Sequence, residues 1–339
     1  MKFAVGYQLR SDDLFLTAVL ENAQKISEVY FALPQFANGR GAAWCKAAFA
    51  TEQAQQEKQL SDLTQLKAPG LRFNLLLNGN CYGEKALAVS FYQEIGNAVQ
   101  LLQSQLGQIV VTTASLTVAK FLKQSFTGLE VRASVNLELS EPQGFDYIAD
   151  LFDSFYLARS QNRNITAIKR VKSWCNQNGK KLYGLANSGC FNHCSAHTFH
   201  DNLVAHEAEI AKQTNAYRFE GQCFTYLKQP VNRANWLCYT NFIRPEDVPL
   251  YENLFCGLKL ATRMAANPAR IINAYCRGSY SGPVQELLEP NHSGMFYPYI
   301  IENKNLPANF GQQTLHCSKN CASCAYCKTA LQNAAIKLY

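Results

Sequence analysis

KFAVGYQLRSDDLFLTAVLENAQKISEVYFAL, residues 2–33, sets two short runs of β-branched and aromatic residues on either side of a stretch with apolar residues at helical spacing. KFAVGYQ (2–8) and SEVYFAL (27–33) read as strands, and SDDLFLTAVLENAQKI (11–26) reads as a helix with Ser11 as its N-cap. Strand, helix and strand in this order make a βα unit with parallel strands. The rhythm then repeats. Further strands are expected at LRFNLLLNG (71–79), QIVVTTA (108–114), LEVRASVN (129–136), DSFYLAR (153–159), KLYGLANS (181–188) and GLKLAT (257–262).

Helix-like segments lie between them at 84–106, 115–128, 165–181 and 268–275, and Gly107, Gly128 and Gly179 fall where helices should stop. Eight units predict an α/β fold of the (β/α)8 TIM-like barrel type. A doubly wound open sheet is the alternative, but no Gly-x-Gly-x-x-Gly follows any strand. The barrel is expected over 1–282, with an insertion at 216–256 before strand eight, and a cysteine-rich C-terminal tail over 283–339.

The 339 residues, 47% of them hydrophobic, can bury a large core, and a net charge of +7 permits a nucleic-acid partner without demanding one. No signal-like N-terminus and no apolar run near the roughly 18 residues of a membrane span is present, so a cytoplasmic protein is expected. Thirteen cysteines are many for a compartment that keeps thiols reduced. Clustered ones then read as metal ligands or redox groups, and the scattered Cys45, Cys175, Cys256 and Cys276 as small buried hydrophobes.

In such a barrel the active site lies at the C-terminal ends of the strands. Those ends carry Asn78 and Cys81, Thr112 and Thr113, Asn136 and Glu138, Arg159, Asn187, and Arg263. The asparagines Asn78, Asn136 and Asn187 are candidate substrate-binding residues, with helix capping as the plainer role for each. Arg159 and Arg263 are expected to face one cleft, where a guanidinium fork suits a carboxylate or phosphate.

The same segment, continued from strand seven, reads GLANSGCFNHCSAHTFHDNLVAHE (184–207) and holds two cysteines and four of the six histidines. Cys190 and Cys194 precede a helix expected at TFHDNLVAHEAEIAKQ (198–213), a position that favours thiolates. Their partners must come from elsewhere: Cys223 and Cys238 in the insertion, or Cys81. A zinc hydrolase built from His193, His197, His200 or His206 is the competing idea, but no His-Glu-x-x-His is present. His193 and His197 then read as proton-transfer groups.

A second cluster, HCSKNCASCAYC (316–327), holds Cys317, Cys321, Cys324 and Cys327. Zinc ribbons separate two cysteine pairs by a long loop, whereas this run is closer to iron–sulfur spacing. Zinc remains the alternative. The first three cysteines also match the spacing of radical S-adenosylmethionine enzymes, whose triad normally follows the first barrel strand rather than the last.

Three segments together resemble peptidase family U-32, the collagenase-like group: EVYFAL (28–33), NSGCFNHCS (187–195) and GLKLATRMAANPARIINAY (257–275). The resemblance implies a TIM-like barrel with a 4Fe-4S cluster on four cysteines, matched here by Cys190, Cys194, Cys223 and Cys238. It also implies oxygen-independent hydroxylation, of a small aromatic substrate or an RNA base, with an electron donor as partner. The cysteine-rich tail lies outside the family pattern and suggests a subgroup with a second cluster, or with tail cysteines completing the first. On this reading Arg159, Lys259 and Arg263 hold an anionic substrate and His193 or His197 moves protons. A peptidase or metallohydrolase of the family's nominal class and a non-catalytic, metal-stabilised RNA-binding protein are the other readings.

Overall fold

The computed structural model describes residues 1–39, 51–215, 217 and 219–339. Eight parallel strands close into a barrel in chain order: β1 (Phe3–Gly6), β2 (Ile26–Phe31), β3 (Arg72–Leu77), β4 (Ile109–Thr113), β5 (Glu130–Ala133), β6 (Ser154–Tyr156), β7 (Lys181–Ala186) and β8 (Gly257–Leu260). β1 pairs with both β2 and β8, which closes the ring. Every barrel strand falls in a run expected from the sequence except that β2 starts one residue early, at Ile26, which was expected to end the preceding helix. The open-sheet alternative is thereby excluded.

Long helices cover the outside. Val89–Leu106 buries Phe91, Ile95, Ala98, Val99, Leu102 and Leu106, one stripe at helical spacing. Local chemistry sets several ends. Ser115 accepts from the Val118 amide at 3.3 Å, Asn164 from Ala167 at 3.1 Å, and Asn267 from Arg270 at 3.0 Å, with Pro268 opening the last of these helices.

Two helix expectations need correction. The first helix begins at Leu14, and Asp12 rather than Ser11 accepts the Leu14 amide, at 3.2 Å. The helix expected over 198–213 is two short ones, His197–Ala205 and Glu207–Ile210, broken at His206. Of the scattered cysteines, Cys175 and Cys276 are buried, Cys256 is exposed, and Cys45 lies outside the described residues. Among the described residues no helix is long and apolar enough to cross a membrane.

The insertion is a chain of short turns, Gln222–Lys228, Pro230–Arg233, Trp236–Tyr239 and the 3-10 segment Pro245–Tyr251. The tail returns over it: its helix Tyr326–Ala334 packs on Trp236–Tyr239, and β9 (Tyr299–Ile301) pairs antiparallel with β10 (Ala335–Lys337).

Inside the barrel, alternate strand residues point inward. Near the N-terminal end they form an ion network. Arg132, fully buried, donates to both carboxylate oxygens of Glu28 at 2.8 and 3.0 Å, to Glu130 at 2.8 Å and to Ser154 at 3.0 Å. Arg72 reaches Glu130 at 2.7 Å and Glu28 at 3.1 Å. Burial pushes the Glu130 carboxyl up, but Arg132 and Arg72 outweigh it and hold it down at about 2.

This folded-state value lies below the ordinary 4.5. The unfolded chain therefore binds the proton first, and the stabilisation is present above pH 4.5 and lost as pH falls toward 2. Unfolding free energy measured in urea should fall by up to about 3 kcal/mol across that window beyond the general acid loss. The Glu130→Gln variant should lack this component; an unchanged acid slope in the variant would contradict it.

Candidate functional site

The chain leaves β7 at Ala186 and is clamped at once. Asn187, fully buried, accepts the Ile243 amide at 2.9 Å and donates to the Ile243 carbonyl at 3.0 Å. Its remaining amide hydrogen meets the Tyr275 hydroxyl. The substrate-binding role expected for Asn187 is therefore corrected: its polar atoms are engaged in holding the insertion to the barrel.

Gly189 follows, and its amide donates to the Glu289 carbonyl at 2.8 Å. A Cβ at Gly189 would stand 2.1 Å from the Pro290 carbonyl oxygen, so only glycine lets the tail pass this closely. Ser188 accepts the Cys190 amide at 3.2 Å, and Asn192 donates its own amide to the Tyr239 carbonyl at 2.7 Å. Phe191 packs edge-on against Tyr226 and Tyr239 and against His292 of the tail. The cysteine loop thus rests on insertion and tail together.

Cys190 and Cys194 lie at the barrel mouth with Cys223 within electrostatic reach of both, though the three do not form a coordination sphere. Burial pushes the Cys223 thiol up to about 12, and the neighbouring Cys190 and Cys194 push in the same direction. Cys238 does not join them, a departure from the expected four-cysteine set. Trp236–Tyr239 turns its thiol toward the tail, where it lies beside Cys327 and Cys321. Cys81 is elsewhere too, beside His206, whose Nδ1 lies 2.7 Å from Glu209. Among the described residues no three His, Cys, Asp or Glu side chains already form a coordination sphere.

Arg159, only 3% exposed at the end of β6, organises the polar side of the mouth. Its guanidinium donates to Glu138 at 2.7 Å and to the Cys190 sulfur at 3.6 Å, and reaches Asn136 at 3.5 Å and the His197 ring at 2.6 Å. Arginine has no lone pair to offer, so His197 Nε2 is the acceptor and the imidazole proton sits on Nδ1. Asp201, 3.2 Å from the same Nε2, is drawn in by Arg159 at 3.8 Å. Asn136 donates to the Asn78 carbonyl at 3.1 Å, and Asn78 accepts the Gly39 amide at 3.1 Å. Arg159, His197, Asn78, Asn136 and Cys190 thus form one connected set.

The other expected residues lie apart. His193 is exposed, at φ 56° in the turn between Cys190 and Cys194, and has no hydrogen bond among the described residues. Lys259 is 8% exposed inside the barrel, its ammonium 3.9 Å above the Tyr30 ring. Arg263, just after β8, lies near Tyr30, as does Glu289. Glu138, one of the polar strand-end residues, and Asp201 both contribute, and Asp201 was not singled out in the sequence. Asp201 was accessible there, because His197 and Asp201 are four apart and share a helix face. Buried His292, whose Nδ1 accepts from Trp236 at 3.1 Å beneath the cysteine loop, carries no such signal.

No family model matches the chain, and no curated protein does. Among solved structures, the U32 peptidase Mk0906 superposes with a TM-score of 0.54 at 15% identity, over 76% of this chain and 91% of that one. A glycoside hydrolase family 5 mannosidase from Rhizomucor miehei gives 0.38 at 11% identity over 76% and 79%, and a dipeptide epimerase from Methylococcus capsulatus 0.36 at 12% over 60% and 52%. The chain has a U32-peptidase-like (β/α)8 barrel fold.

Proposed function

We propose that this protein is an iron–sulfur enzyme that modifies an anionic substrate at its barrel mouth, by oxygen-independent hydroxylation of an RNA base or a small aromatic compound. One observation carries the reading: three thiols, Cys190, Cys194 and Cys223, lie within electrostatic reach of one another beside Arg159 and His197, where a barrel of this fold places its chemistry. The donor set suits iron, because close cysteine triads hold cubane clusters, and an arginine N–H aimed at a ligand sulfur stabilises negative charge there. A cluster bound there supplies one-electron transfer.

The chain's own residues do the rest. Arg159 supplies positive charge that Glu138 and Asp201 hold in place. His197, with Nε2 committed to Arg159, has Nδ1–H left to donate to a substrate oxygen. Asn78 and Asn136 line the adjoining edge. In net terms a substrate C–H bond and water would become C–OH, with two protons going to solvent and two electrons passing singly to an oxidised flavin or iron–sulfur carrier, so the redox partner would act as an electron acceptor rather than a donor.

Protein purified without oxygen should contain iron and acid-labile sulfide in equal amounts and show a broad visible absorption near that of cubane clusters. Zinc without sulfide would overturn the assignment and favour a hydrolase of the family's nominal class.

A further inference from the structure

The insertion and the tail enclose a cavity of about 380 Å³, away from the barrel-mouth cysteines, lined by Cys238, Cys317, Cys321, Cys324, Cys327 and Lys319. Its walls come from segments some eighty residues apart in the chain, brought together because Trp236–Tyr239 packs against Tyr326–Ala334. We propose that Cys238, Cys317, Cys321 and Cys327 hold a second iron–sulfur cluster, which fastens the tail to the insertion. This goes beyond the barrel-mouth reading and does not rest on it.

A second observation points to an anionic occupant. Arg163 is 3% exposed and sits behind this cavity, donating to the carbonyls of Leu237 and Thr240 at 2.8 and 3.1 Å and of Phe242 at 2.8 Å. Its Nη2 is buried with no acceptor among the described residues. A buried, always-charged guanidinium with an unmatched N–H is costly unless negative charge lies near. Cys317 and Cys327 are the thiols nearest to it, with the Asp247 carboxylate also within reach, and Lys319 adds a second positive group hydrogen-bonded to Cys317. Four thiolates around a cluster carry the net negative charge that these two cations would balance.

Size separates a cluster from a single ion. Zinc binds thiolate at about 2.3 Å, so its four sulfurs would crowd around one point. Here the thiols ring a cavity of about 380 Å³ rather than a single point. A multi-atom centre fits that arrangement. Cys317 and Cys324 are both exposed, but Cys317 lies against the two cations Arg163 and Lys319, whereas Cys324 is placed only beside Cys321, and on that difference Cys324 is assigned to the rim rather than to the ligands.

The test uses the full-length chain purified without oxygen. A variant carrying Cys190→Ser, Cys194→Ser and Cys223→Ser should keep about four iron and four sulfide per chain, the content of one cubane. Adding Cys238→Ser should remove both, while adding Cys324→Ser should not. In the unmutated protein, alkylation with iodoacetamide should label Cys324 and spare Cys238, Cys317, Cys321 and Cys327 until the cluster is destroyed with ferricyanide and chelator. This arm does not depend on any variant folding. The proposal is overturned by zinc without sulfide in the triple variant, by a triple variant free of metal, by loss on Cys324→Ser but not on Cys238→Ser, or by labelling of Cys238 in the intact protein. A triple variant that keeps every iron of the unmutated protein would instead sink the barrel-mouth assignment and leave this one standing.

Discussion

Replacing Arg132 with methionine is expected to destabilise the barrel by about 3–5 kcal/mol, the range seen when one partner of a buried ion pair is removed. Arg132 alone contacts both oxygens of Glu28, and it donates to Glu130 and Ser154 as well. Its guanidinium also lies 4.0 Å from the centre of the Tyr183 ring. Without it Glu28, 1% exposed, retains only Arg72 on one oxygen and Asn74 on the other. Methionine fills much of the volume, so the loss reports the uncompensated charge rather than a void. Urea unfolding followed by circular dichroism measures it. The double variant Arg132→Met with Glu28→Gln should recover part of the loss, because the stranded charge is then gone. A single-variant effect below about 1 kcal/mol would mean that water or Arg72 compensates Glu28 fully.

Cys223→Ser should abolish the barrel-mouth centre while the barrel stays folded. Serine is nearly isosteric with cysteine, and the thiol is the group the metal needs. The side chain is 8% exposed and lies at the start of Gln222–Lys228, a turn of the insertion and not a barrel strand. The expected readout is loss of about four iron and four sulfide per chain with unchanged far-ultraviolet circular dichroism. Cys81→Ser should change neither, because Cys81 lies with His206 and Glu209 on another part of the rim. If Cys81→Ser lost the iron and Cys223→Ser kept it, the ligand set drawn from this geometry would be wrong.

Both predictions depend on which cysteines and charges meet, and this is where sequence and structure divide. Alternating runs such as KFAVGYQ and SEVYFAL determined the eight strands and their order around the barrel, because strand periodicity and turn chemistry are local properties of the chain. The polar strand ends carrying Arg159, Asn78 and Asn136, and the cysteines of 190–194, were legible for the same reason: the barrel puts those ends on one face whatever the loops do. The loops themselves were not legible. Cys238 stands fifteen residues after Cys223 and read as its partner, yet the packing of Trp236–Tyr239 on the tail helix turns it to Cys327. Asn187 sits at a strand end like Asn78, but the return of the insertion at Ile243 takes up its amide. Contacts between segments eighty residues apart arise from burying surfaces that only the closed barrel creates, so the tertiary structure alone decided them.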